Sequence, residues 1–286
     1  MEETFSVANS THSRIVCLLA AFAVAVLVLS GALRAQQPAA PQLPRREDPQ
    51  ARQMLDRAVQ ALGGQAFLAA KSLTSKGRVF FFQEGRTAGM EPFESKLVYP
   101  DKRRFVIAKA KKNISMDTGN VTYEGETKPI ILINNGDKGW ELDQYGLIAQ
   151  ADQQLQGWVL SNRFSLENLL RLRLNEAGVL IQIGKVDFVD NMPTQGIEIV
   201  EPGGISVRLD LNRQTHLPSR ITYRVRNVKE EAWDEYSDAY ADYKDIDGIM
   251  TPMHVTRYLN GDRIGETFRN SAQYNEEYPP NYFNPE

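Results

Sequence analysis

The chain has 286 residues, 42% of them apolar, and a formal net charge of −3. That apolar content supports a real core and excludes a disordered chain, and the near-balanced charge gives no electrostatic case for nucleic acid. The one cysteine, Cys17, lies in an N-terminal apolar run, so the rest of the chain can form neither a disulfide framework nor a thiolate zinc site.

The apolar run covers 15–33, follows Arg14 and contains no Asp, Glu, Lys or Arg. Small residues come next, as Ser30, Ala32 and Ala35. This layout predicts a signal peptide over 1–35, cut after Ala32 or Ala35, and export to the periplasm or cell envelope of a bacterium. A retained membrane anchor is the competing reading, because about 18–20 apolar residues can span a bilayer. Residues 36–47 carry three prolines and no apolar period, and read as a flexible linker. A single domain is expected over 48–286.

Asp48-Pro49 opens a helix as cap and first helical residue, and Gly63-Gly64 ends it. Between them Ala51, Leu55, Ala58, Val59 and Leu62 recur at helical spacing. From Ser72 the period changes to two. A strand begins near Lys76–Phe81. Next, Phe93, Ser95, Leu97 and Tyr99 alternate with charged residues, and Pro100-Asp101 turns the chain into Arg104–Ala110. The polar segment 112–127 reads as a loop. Ile130–Asn134 is a strand, turned by Asn135-Gly136 into Gly139–Leu142.

The β pattern breaks over 150–176. Leu155, Trp158 and Val159 sit at helical spacing after a cap expected at Asp152. A second helix is capped by Ser165, with Phe164 and Leu169 as a hydrophobic staple. Alternation then returns. Val207, Leu209 and Leu211 alternate with Arg208 and Asp210, and Ile221, Tyr223 and Val225 with Thr222 and Arg224. Such strands have one apolar and one wet face, the antiparallel pattern. Three more strands close the chain, turned at Asp247-Gly248 and Asn260-Gly261, before a Tyr278-Pro279-Pro280 tail that cannot pair centrally. About ten or eleven strands result. An open twisted sheet of that size curls. The expected fold is mostly β: a curved antiparallel sheet, an incomplete barrel, with helices on its concave side.

The pieces ALGG at 61–64, NNGDKGWEL at 134–142, LENLLRLR at 166–173, VRLDLNRQTHLPSRITY at 207–223 and YADYKDIDGIMTPMHVTRY at 240–258 stand in the order found in LolA-like proteins. The chain therefore resembles the outer-membrane lipoprotein-sorting family, as a longer variant with extra sequence near 112–127 and 227–235. The resemblance implies an incomplete barrel with helices on the concave face. It also implies a carrier whose cargo is lipid or the acyl chains of lipoproteins. An envelope interaction or sensor module, using the same fold to bind a protein partner, is the alternative.

No catalytic pair is visible, and no zincin, nucleophile-elbow or phosphate-loop motif that would bring a metal or cofactor. His216 is expected in a turn and His254 in a strand. The series Asp234, Asp238, Asp242, Asp245 and Asp247 reads as solvated carboxylates on a strand. The calcium-loop spacing fails, because Tyr243 stands where a first ligand is needed. The basic stretch Lys102, Arg103, Arg104, Lys109, Lys111 and Lys112 guards an edge strand or touches anionic headgroups. A ligand cavity is expected to be lined by Phe81, Phe93, Leu97, Trp140, Leu155, Trp158, Val207, Leu209, Ile221 and Tyr223.

Overall fold

The computed structural model describes residues 46–108, 110–114, 121–126, 129–227 and 230–285; the side chains of 46, 110–114 and 121–126 are left aside. The expected signal peptide lies outside these residues, as does the linker up to residue 45. Among the described residues no helix is long and apolar enough to cross a membrane.

In chain order the elements are β1 (Arg46–Glu47), α1 (Pro49–Ala61), α2 (Gln65–Ala69), β2 (Ser72–Gln83), β3 (Arg86–Val98), β4 (Lys102–Ile107), β5 (Ala110–Ile114), β6 (Val121–Glu126), β7 (Ile130–Asn135), β8 (Lys138–Asp143) and β9 (Gly146–Ala149). Then come α3 (Asp152–Arg163), α4 (Leu166–Arg171), β10 (Leu180–Val189), β11 (Met192–Val200), β12 (Ser206–Asn212), β13 (Pro218–Asn227), β14 (Ala232–Ile246), β15 (Ile249–Leu259) and β16 (Asp262–Tyr274).

Fourteen strands share one open sheet in the order β1, β10 through β16, then β2, β3, β4, β7, β8, β9. β5 pairs with β6 in a separate ribbon. The count from sequence falls short for two reasons. Segment 112–127, read as a loop, holds most of that ribbon, and β9 and β10 are too irregular in pattern to stand out. The last two linker residues also pair, as β1, parallel to β10.

The sheet is two meanders joined where β16 meets β2, and each meander is entered by a crossover. The helices α1 and α2 lead from β1, at one edge, to β2 in the middle. The helices α3 and α4 lead from β9, at one edge, to β10 near the other. Both crossovers bring apolar faces to the same side of the sheet. Leu55 of α1, Leu62 at its C-cap and Leu169 and Leu170 of α4 form one buried cluster with Leu73, Ile197, Val207, Leu209 and Ile221.

Local signals explain the helix ends. Asp48 Oδ1 accepts from the amides of Gln50 and Ala51 at 2.8 and 3.3 Å. After α1, Gly63 takes φ +120°, and a Cβ there would lie 2.2 Å from the Gly248 carbonyl oxygen, so only glycine fits against that turn. Ser165 caps α4, its Oγ accepting from the Asn168 amide at 3.3 Å, between the buried Phe164 and Leu169. At α3 the expectation is one residue off. Ala151 holds the cap position without a side-chain bond, and Asp152 is the first helical residue, where its charge favours the positive helix end.

The opposite face is less wet than alternation implies. Asp210 is fully buried between Arg208, at 2.8 Å, and Arg220, at 3.2 Å. The basic stretch needs correction for Lys102, Arg103 and Arg104, since their strand β4 lies between β3 and β7 and guards no edge, whereas Lys111 and Lys112 stand on β5 of the two-stranded ribbon. Lys109 falls outside the described residues.

The segment after β16 crosses this outer face. Glu276 and Tyr278 both bond the Thr74 hydroxyl, and the bonds that Thr74 and Tyr278 donate to Glu276 hold its carboxyl below its ordinary pKa. Lys96 donates to Tyr282 Oη at 2.8 Å. Phe283 is 4% exposed, edge-on to the rings of Tyr278 and Tyr282. Phe283→Ala is expected to cost about 3 kcal/mol, the lower end of the range for a buried phenylalanine because the tail can partly refill the space. Urea unfolding reads it. An unchanged midpoint would show that the tail lies outside the cooperative unit.

Candidate functional site

The helices do not cover the whole inner face. α1 and α4 fill the side formed by β10 to β13. Over β2, β3, β4, β7, β15 and β16 the inward side chains stop short of them, and a cavity of about 460 Å³ remains, bounded by α3 and α4. Its walls follow from strand parity. Val79 and Phe81 of β2, Phe93 and Leu97 of β3, and Phe105 and Ile107 of β4 point inward. Phe93 and Phe105 stack at 5.3 Å, and Trp158 of α3 lies over the top. A smaller lobe of about 250 Å³ shares Arg103, Trp158 and Arg257 and adds Tyr223 and Tyr236.

Polar groups sit at defined places in this apolar wall. The Arg103 guanidinium lies 4.2 Å from the Trp158 ring centre and 5.7 Å from that of Phe105. It donates to Asn134 Oδ1 through Nε at 3.2 Å and Nη2 at 2.9 Å. Asn134, fully buried, in turn donates to Gln150 Oε1 at 2.8 Å. Arg257 holds both oxygens of Asp238, at 2.7 and 2.8 Å. Desolvation by burial, with Arg257 close by, pushes the Arg103 pKa down to about 9. Arg257 moves the other way, since the Asp238 carboxylate favours its charge. Burial keeps the Tyr223 and Tyr240 phenols above their ordinary range.

The residues singled out from sequence fall into three groups. Phe81, Phe93, Leu97 and Trp158 line the cavity, and Tyr223 lines the smaller lobe. Val207, Leu209 and Ile221, at most 1% exposed, belong to the closed core under the helices instead. Leu155, half-buried on α3, is outside the lining. So is Trp140, whose register pairs it with Ile133 on the face that carries Lys96 and the tail. Reading Arg103 as part of a charge run hid it. Its parity with Phe105 and Ile107 was the available signal.

The remaining candidates have structural partners. His216 adopts φ +61° in a turn. His254 bonds Glu266 Oε1 at 2.8 Å and stacks on Phe268. Asp245 accepts from the Gly248 amide. Among the described residues no group of three or more His, Cys, Asp or Glu is placed to hold a metal ion.

No family model matches this sequence, and no curated protein matches it. Solved structures do. A domain from Vibrio parahaemolyticus described as an outer membrane lipoprotein-sorting protein is similar over 82% of this chain and 97% of its own, with TM-score 0.50 and 11% identity. A DUF1329 family protein from Desulfovibrio piger is similar over 82% and 96%, with TM-score 0.50 and 10% identity. A LolA superfamily protein from Nitrosomonas europaea covers 82% and 97% at TM-score 0.45 and 13% identity. At such identities the likeness is one of fold: this chain has a LolA-like curved, open antiparallel sheet.

Proposed function

We propose that this LolA-like chain is an exported, non-enzymatic carrier that holds lipid, or the acyl chains of a lipoprotein, in the cavity between the inner sheet face and α3. One observation carries the reading. A cavity of about 460 Å³ is walled by Phe81, Phe93, Phe105 and Trp158, with few polar groups at fixed positions. Ligand sites of about 300–1,000 Å³ have this make-up. The Vibrio fold neighbour, described as a lipoprotein-sorting domain, points the same way. A buried methylene contributes about 0.8 kcal/mol, so roughly sixteen carbons gain about 12 kcal/mol gross. Immobilisation and imperfect fit remove much of this.

The test is native mass spectrometry of the purified domain, before and after incubation with lipid vesicles. Adducts that dissociate as lipid support the carrier. A clean apo mass in both samples overturns it and favours the alternative of a protein-binding envelope module. Phe81→Ala locates the site. Phe81 is 39% exposed on the cavity wall, so its loss should barely move the melt. It should weaken lipid binding about tenfold, the value of one side chain's apolar contact. Wild-type affinity in this variant would move the ligand out of this cavity.

A further inference from the structure

Charge is unevenly placed in the cavity. By strand parity Arg103, Arg257, Arg269 and Asp238 point to its interior, Glu167 lines it from α4, and Glu266 reaches its rim from the opposite parity of β16. Asp238 is fully engaged by Arg257. Glu167 and Arg269 both stand near Tyr99, Tyr243 and Tyr274, with no ion pair between them, so the two share one end. That leaves Arg103 at the other end. Among the described residues no carboxylate forms an ion pair with it, and its charged neighbour is a second arginine.

Spare hydrogen-bond capacity has the same sign. Three wall residues bury a polar atom with no partner: Tyr99 Oη, Trp158 Nε1 and Arg269 Nε. All three can donate. A buried donor without an acceptor is costly, and a buried cation without a counter-ion more so. The aromatic stack on Trp158 and Phe105 offsets part of that cost and fixes the guanidinium plane. A planar, immobilised guanidinium is the side chain best suited to an oxyanion.

Resting on the carrier reading, we infer that the cavity selects amphiphiles with an oxyanion head, a carboxylate or a phosphate, seated on Arg103 beside Trp158 with the apolar chain along Phe93, Phe105 and Ile107. An arriving anion would neutralise Arg103, which forms no ion pair among the described residues, and would ease its repulsion from Arg257. A neutral head would leave both unchanged.

The experiment uses four twelve-carbon probes that differ in the head alone: dodecanoate, dodecyl phosphate, dodecanol and dodecylamine. Their dissociation constants are measured on the wild-type domain by calorimetry or competition. The anions should bind at least tenfold tighter than dodecanol, and dodecylamine weakest. The ratio between the two anions tells a fatty carboxylate from a phosphate head. In Arg103→Met the anion preference should fall to about one; Arg103→Lys should retain part of it. Equal wild-type affinity for dodecanol and both anions overturns the inference and leaves the carrier standing. So does an Arg103→Met protein that keeps its anion preference. Failure of all four probes to bind the wild type removes the carrier reading itself. The wild-type series needs no variant, so a misfolded Arg103→Met cannot rescue the idea.

Discussion

Leu209→Asp is expected to abolish the cooperative unfolding transition. Leu209 has no exposed surface and sits where β12 meets the helices, in one cluster with Ile197, Ile221 and Leu169. Truncating such a leucine to alanine costs about 2–5 kcal/mol. A carboxylate there adds several kcal/mol, through desolvation or through forced protonation. A domain has about 5–15 kcal/mol in total. The variant should be largely unfolded, with near-ultraviolet circular dichroism lost. The opposite result is informative. A Leu209→Asp protein that melts near wild type but no longer holds lipid would show α1 and α4 to be a movable lid, with Val207, Leu209 and Ile221 as wall beneath it.

Gly77→Val should be nearly as severe, for a reason that involves no cavity or charge. Gly77 lies on β2 opposite Arg269 of β16, beside a register shift between Arg269 and Ser271. The irregularity brings the backbones so close that a Cβ on residue 77 would be 1.9 Å from the Phe268 carbonyl oxygen and 2.9 Å from the Arg269 Cα. Overpacking costs about 1–3 kcal/mol when side chains can yield. Here the obstacle is backbone, in the pairing that joins the two meanders, and about 4 kcal/mol is the expectation on the same scale. Denaturant unfolding gives the magnitude, and hydrogen exchange should show lost protection in β2 and β16 first. An unaltered midpoint would mean that the bulge adjusts freely.

Much of this architecture can be read from local chemistry. Asp48 and Ser165 cap helices because their oxygens reach amides two or three residues ahead, a relation contained in a few adjacent residues. The period of two around Val207, Leu209 and Leu211 fixes one apolar face. It does not say what covers that face. Whether an inward side chain meets a helix or an empty space depends on where the crossovers land, and α4 lands on β10 to β13. Val207 and Phe93 thus carry the same sequence signal and end in closed core and cavity wall. Trp140 shows a second limit, since its face is decided by register across β7 and not by its own neighbours. The outer-face aromatic tail is a third, because Tyr278-Pro279-Pro280 rules out pairing but says nothing about docking.

The β2–β16 pairing has a consequence for the order in which the molecule can be assembled. The Lys71 amide bonds the Asn275 side chain, 204 residues away in sequence. A chain made from its N-terminus presents β2 with one edge bare until β16 has been synthesised. Such distant pairing slows folding, because loop closure must precede the contacts that reward it. Until then the apolar β2 edge, with Val79, Phe80 and Phe81, is open to any other strand. A holding factor that keeps the chain extended until residue 274 is available would therefore raise the folded yield far more than one that acts on the finished domain.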